Sequence, residues 1–108
     1  MAAWIALFIA GLLEVAWAFS MKLSEGFTKP LASGLTIVLA LASFWLLALA
    51  MKSLPLGTAY AIWTGIGAVG AFVVGIVFLG EAASLIRITA AVLIVAGLAL
   101  MKIGSTTG

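Results

Sequence analysis

Four long, almost wholly apolar runs, parted by short polar clusters, leave this chain few ways to fold. Trp4–Met21, Leu31–Met51, Thr58–Leu79 and Leu85–Met101 hold 18, 21, 22 and 17 residues. About 20 residues are needed to cross roughly 30 Å of hydrocarbon as a helix. Between the runs lie only KLSEGFTKP, KSLPLG and GEAAS. Hydrophobic residues make up 67% of the 108 and charged ones 7%, with a mean hydropathy of +1.44. A soluble domain carries about a quarter charged residues, and a small one buries a smaller fraction of its surface than a large one. Lipid is therefore the solvent for most of the chain. In lipid every backbone polar group needs an internal partner, which leaves helices or closed barrels; unbroken apolar runs without alternation select helices. The expected fold is all-α, one integral membrane domain over residues 1–108 with four transmembrane helices.

The same composition closes off several functions. With no cysteine and no histidine there is no disulfide framework and no thiolate or imidazole metal site. The net charge of +2 comes from five scattered cations rather than a patch, which argues against nucleic acid as a partner. No cofactor motif and no nucleophile–base pair is visible, so no enzyme is expected. A secretory signal peptide would want a basic start and an uninterrupted apolar core. Nothing basic precedes Lys22, and the first run contains Glu14, so Met1 onward reads as mature protein. The longest loop has nine residues, too few for a soluble catalytic domain, so any activity lies inside the membrane. Four helices are also few to enclose a polar pathway, which points to a dimer or larger assembly.

Glu14 is the acid that needs explaining. An ionised carboxylate at mid-bilayer costs about 2.5–3.5 kcal/mol on insertion scales, and such residues usually mark ion or proton pathways. The plainer reading is a buried acid that glues helices together. On a helix, Leu7, Ala10, Gly11, Trp17, Ala18 and Met21 fall within about 60° of Glu14. Three of these six are small, which allows either close helix packing or space for a small ligand. Desolvation disfavours the charged form of a carboxyl, whereas a cation favours it. Proton and cation then compete for one site, which is the minimum an antiporter requires. No lysine or arginine stands at mid-span to neutralise Glu14 permanently.

Other spans offer partners. Tyr60 and Trp63 lie three apart, on one helical face. Tyr60 is near an end and reads equally as an interface aromatic; Trp63 is deeper and needs an acceptor for its N–H, which a carboxylate would supply. Gly65, Gly67, Gly70 and Gly75 crowd the third span. They serve either close packing or a bend, glycine pairs being recognised kink sites. Ser43, at the middle of the second span, either bonds back to its own helix or orients the Glu14 carboxylate. Ala90 and Gly97, seven apart on the fourth span, read as a small-residue dimer seam.

GLLEVAWAFSMKLSEGFT and PLGTAYAIWTGIGAVGA, with the chain length and Ser43, resemble the small multidrug resistance family of four-helix proton-coupled exporters. The resemblance runs from about Trp4 to Lys102. Trp17, one turn after the glutamate, is similar to the guanidinium-exporter branch; the drug-exporting branch usually has a small residue there. The resemblance implies that Glu14 is the shared substrate- and proton-binding site and that Trp17, Ser43, Tyr60 and Trp63 form its shell. It also implies a kink at Gly65 and Gly67, an antiparallel homodimer and a bacterial inner-membrane location. Guanidinium fits such a site chemically, being planar, permanently charged and matched to a carboxylate by paired N–H donors. A broad exporter of quaternary ammonium cations shares every feature except Trp17. A rotary-ring proteolipid also carries one membrane carboxylate, but on a two-helix hairpin. A purely structural subunit leaves Glu14 unexplained.

Charge distribution favours dual topology. Orientation is set mainly by Lys and Arg in short loops. The N-terminus, second loop and C-terminus share Lys52 and Lys102, against Lys22, Lys29 and Arg87 on the other side. Two against three is a weak bias, so copies are expected to insert both ways and to pair antiparallel.

Overall fold

Each apolar run becomes one helix, and each helix stops where the sequence supplies a reason. In the computed structural model, which describes residues 2–105, α1 spans Ala2–Leu23, α2 Pro30–Ala50, α3 Leu56–Leu79 and α4 Leu85–Ser105. All four are long and apolar enough to cross a membrane. At about 1.5 Å per residue, the 21 to 24 residues of each reach roughly 31–36 Å. Most helix ends fall within two residues of the apolar runs; α4 continues four residues further, through Lys102 to Ser105, and α2 stops one short, at Ala50.

The punctuation follows side-chain chemistry. Pro30 opens α2 at the first helical position, where a missing N–H leaves nothing unpaired. Ser84 caps α4: its Oγ accepts the Arg87 N–H at 3.2 Å. Gly80 ends α3 in the left-handed region at φ 70°, and the Glu81 N–H turns back to the Gly75 carbonyl at 3.0 Å. The first loop is tighter. Glu25, Gly26 and Phe27 all have positive φ, a cost of about 1–2 kcal/mol for each non-glycine residue. Ser24 offsets it. This fully buried serine donates to the Met21 carbonyl at 2.6 Å and accepts the Phe27 N–H at 3.0 Å, while its own carbonyl takes the Thr28 N–H at 2.9 Å.

Helix α1 is the centre, packed against both α2 and α3. The α4 backbone comes close to α3 alone, and no α4 residue is buried among those described. Leu7 and Ala10 of α1, Leu47 and Ala50 of α2, and Ala59, Ile62 and Trp63 of α3 make the core. Large apolar side chains elsewhere face outward, Leu31, Ile86 and Leu85 among them, as lipid-facing surfaces require. The α1–α3 seam is closed by glycines that receive opposing side chains: Ile66 lies over Gly11, Glu14 over Gly67 and Val15 over Gly70. Between α1 and α2, Ser20 donates to the Ala32 carbonyl at 2.9 Å, and the Thr36 hydroxyl lies 2.8 Å from the Ser20 oxygen.

Candidate functional site

The α1–α3 seam carries the carboxyl of Glu14 onto the backbone of α3. A side chain of any size at Gly67 would collide with it. The Glu14 Oε1 is buried without a hydrogen-bond partner. Three residues on, and so on the same side of α1, the Trp17 Nε1 is also buried and unpartnered. An acceptor and a donor, three residues apart on a helix long enough to span the membrane, thus both lack a partner and are not bonded to each other. Buried polar groups in proteins are nearly always paired, so these two set Glu14 and Trp17 apart from the satisfied polar groups around them.

Ser43 and Trp63 lie one helical turn away, in the layer of Ala10. Ser43 is fully buried; its Oγ donates to the Ala10 carbonyl at 2.7 Å and accepts the Trp63 Nε1–H at 3.0 Å. This corrects two expectations. Trp63 does not give its N–H to Glu14, and Ser43 neither orients that carboxylate nor bonds back to its own helix. A hydroxyl can donate and accept at once. Placed between an α3 indole and an α1 carbonyl, Ser43 satisfies both and ties three helices together. Glu14 is left without either partner.

An aromatic chain runs beside this layer. Trp17 and Phe44 meet edge to face with centroids 6.2 Å apart, Phe44 and Trp63 at 5.8 Å, and Trp63 and Tyr60 at 5.5 Å. Such contacts are worth about 0.5–1.5 kcal/mol each beyond their buried area. Phe44 links the two indoles, and sequence reasoning did not single it out. Its one signal was adjacency to Ser43. Tyr60 is 53% exposed, at the open end of this chain.

The glycines of α3 serve as packing sites in this state. Helix α3 is continuous through Gly65 and Gly67, with Leu98 of α4 lying over Gly65 and Glu14 over Gly67. Ala90 and Gly97 are exposed, and nothing lies within 4 Å of where a Gly97 Cβ would stand.

The Ser43 link has a measurable consequence. Ser43→Ala leaves the buried Trp63 N–H without its acceptor, at a cost of about 1–3 kcal/mol. Thermal unfolding of the purified protein in detergent is expected at a lower temperature, and Ser43→Thr, which restores the hydroxyl, is expected to recover most of the loss. An unchanged melting temperature in the alanine variant would show that the link carries no stability.

Comparison with known proteins agrees with this architecture. The family model described as Small Multidrug Resistance protein matches residues 2–103. A protein of Yersinia pseudotuberculosis named "Guanidinium exporter" is 59% identical over 103 residues, covering 95% of this chain and 99% of its own. Proteins of the same name from Escherichia coli K12 and Citrobacter freundii are 53% and 52% identical over 102 residues, covering 94% of this chain and 97% of theirs. With four membrane-spanning helices and a family match over nearly its whole length, this multi-pass bacterial membrane protein belongs to the Small Multidrug Resistance protein family.

Proposed function

We propose that the protein is a proton-coupled antiporter that exports guanidinium and small substituted guanidinium cations, with Glu14 as the site that proton and substrate share. The observation that carries this reading is the pair of unsatisfied groups, Glu14 Oε1 and Trp17 Nε1, both buried and three residues apart on α1. A guanidinium ion supplies what the carboxylate lacks, two parallel N–H donors in one plane with a full positive charge. The Trp17 ring offers a face for that plane, and its N–H is free to donate to the carboxylate once the ion is seated. Protonation discharges the same oxygens, so loading either ligand expels the other. The Ser43 link supports selectivity, because it keeps Trp63 engaged elsewhere and leaves the carboxylate unsatisfied until a cation arrives.

Two copies inserted in opposite senses bring two Glu14 carboxyls to one central cavity. In that arrangement the exposed Ala90 and Gly97 of α4 form the seam, and bending at Gly65 and Gly67 exchanges the inward-open and outward-open states. The names of the relatives from Yersinia pseudotuberculosis and Escherichia coli support guanidinium as the substrate.

Proteoliposomes test the whole reading. With a pH gradient as the only driving force, labelled guanidinium is expected to accumulate and tetramethylammonium to accumulate far less. Trp17→Gly is expected to weaken guanidinium uptake and to admit bulkier cations. Preferred uptake of the quaternary ion by the parent protein would assign it to the multidrug exporters instead. Accumulation indifferent to the pH gradient would remove proton coupling.

A further inference from the structure

A cavity that neither Glu14 nor Trp17 lines opens between α1, α3 and α4. Because α4 packs on α3 and stands off from α1, a wedge of about 470 Å³ opens between the three helices. Its walls include Phe19 of α1, Phe72 of α3 and Ile94 of α4. At the end that carries the first and third loops it is lined by Lys22, Glu81 and Arg87. Lys22 is in the last turn of α1 and Arg87 in the first turn of α4, so both sit at the boundary of the same membrane leaflet.

The charges there do not cancel. Arg87 lies 3.7 Å from Glu81, donates to the Ala82 carbonyl at 2.6 Å and rests 4.9 Å above the Phe72 ring. A guanidinium has five N–H donors, and these two polar contacts leave some of them unused. Lys22 has no ion-pair partner among the described residues. Two cations against one acid leave an excess positive charge above apolar walls at headgroup depth. The opposite end of the bundle differs. There a cleft of about 590 Å³ holds a single cation, Lys102, already seated 5.1 Å from the Trp4 ring.

A void with apolar walls inside a bilayer gives water no partners, but it admits a hydrocarbon chain. A phosphate diester at the same depth meets both cations. We propose that this wedge binds one anionic phospholipid, its phosphate between Lys22 and Arg87 and one acyl chain against Phe19, Phe72 and Ile94. The lipid then fills the gap that the α1–α3–α4 geometry leaves open, next to Ala90, which lines the wedge at the edge of the proposed α4 seam. The proposal rests on the spanning fold alone and is independent of the transported ion.

Native mass spectrometry tests it. Protein in detergent is offered an equimolar mixture of phosphatidylglycerol and phosphatidylcholine with identical chains, and retained lipid is counted. Phosphatidylglycerol is expected to be preferred. Lys22→Gln is expected to reduce that preference about fivefold, the effect of one interfacial cation, and Arg87→Gln to do the same. Lys52→Gln, which removes a lysine from the opposite end, is expected to leave the preference intact. Ala91→Phe keeps both cations but fills the wedge, and is expected to abolish retention of either lipid there. Equal retention of the two lipids, or an equal loss with Lys52→Gln, overturns the proposal. Displacement of the lipid by an equal concentration of glycerol 3-phosphate would show a phosphate site without a lipid. Loss of self-association in Ala91→Phe with lipid retention unchanged would show that a second copy of the chain covers the wedge.

Discussion

Glu14→Gln is expected to end guanidinium transport while leaving the folded protein intact. Glutamine has almost the same shape, so the side chain still fits over Gly67 and the α1–α3 seam keeps its packing. What disappears is the charge. Removing one member of a buried, hydrogen-bonded charge pair typically costs 2–5 kcal/mol, which corresponds to at least about thirtyfold in guanidinium affinity. Proton release on adding guanidinium should vanish with it, since the amide does not titrate. Three measurements check this: calorimetric binding of guanidinium, proton release in weakly buffered detergent solution, and thermal unfolding as the control for folding. Glu14→Asp keeps the charge but draws it back from Gly67, so coupling is expected to survive with weaker binding. Coupled transport retained in the glutamine variant would remove Glu14 from the mechanism altogether.

Gly67→Ala is expected to destabilise the protein, against the intrinsic preference of the helix. Replacing a helical glycine by alanine ordinarily gains up to about 1 kcal/mol. At Gly67 the new methyl group meets the Glu14 carboxyl, and forcing atoms into a filled site costs about 1–3 kcal/mol. Gly34, in α2, is the matched control, because nothing lies within 4 Å of where its Cβ would stand. Gly34→Ala should raise the melting temperature and Gly67→Ala should lower it. Adding Glu14→Ala to Gly67→Ala removes the obstructing side chain and should restore most of the stability. Such non-additivity is expected for residues in contact, whereas distant independent sites add. Opposite-signed results at the two glycines, followed by rescue in the double variant, would establish that Glu14 rests on α3. If Gly67→Ala behaves like Gly34→Ala, it does not.

How far the sequence could be read depended on what each residue's environment demanded. The four helices were legible because lipid imposes one solution on an apolar run of that length. The starts of α2 and α4 were legible from Pro30 and Ser84, whose backbone chemistry is local; Gly80, which ends α3, carried an equally local signal that was not singled out. Glu14 stood out because an acid in hydrocarbon has no bland explanation of low cost. The partnerships were another matter. Whether Trp63 meets Glu14 or Ser43 depends on how far α3 slides along α1 and α2, and no single helix encodes that register. The sequence supplied a donor and two acceptors; only packing chose between them. Phe44 escaped for the same reason: its value lies in standing between Trp17 and Trp63, which come from two other helices. Thr36, seven residues before Ser43 and on the same face of α2, was a readable hint of a polar stripe against α1. The glycines of α3 allowed packing or bending. The structure shows which side chains fill them in this one conformation.

Helix α4 also has a place in time. It is the last of the four to leave the ribosome, and its 21 residues take about one to four seconds to synthesise at 5–20 residues per second. Every group around Glu14, from Ala10 and Trp17 through Ser43 and Phe44 to Trp63 and Gly67, belongs to the three helices made before it. The groups around Glu14 therefore draw on no residue of α4, although α3 and α4 leave the ribosome only a few residues apart. What α4 brings afterwards is a set of attachments: Leu98 onto Gly65, Arg87 onto Phe72 and Lys102 onto Trp4. In the order of synthesis, the last helix fastens what the first three have built.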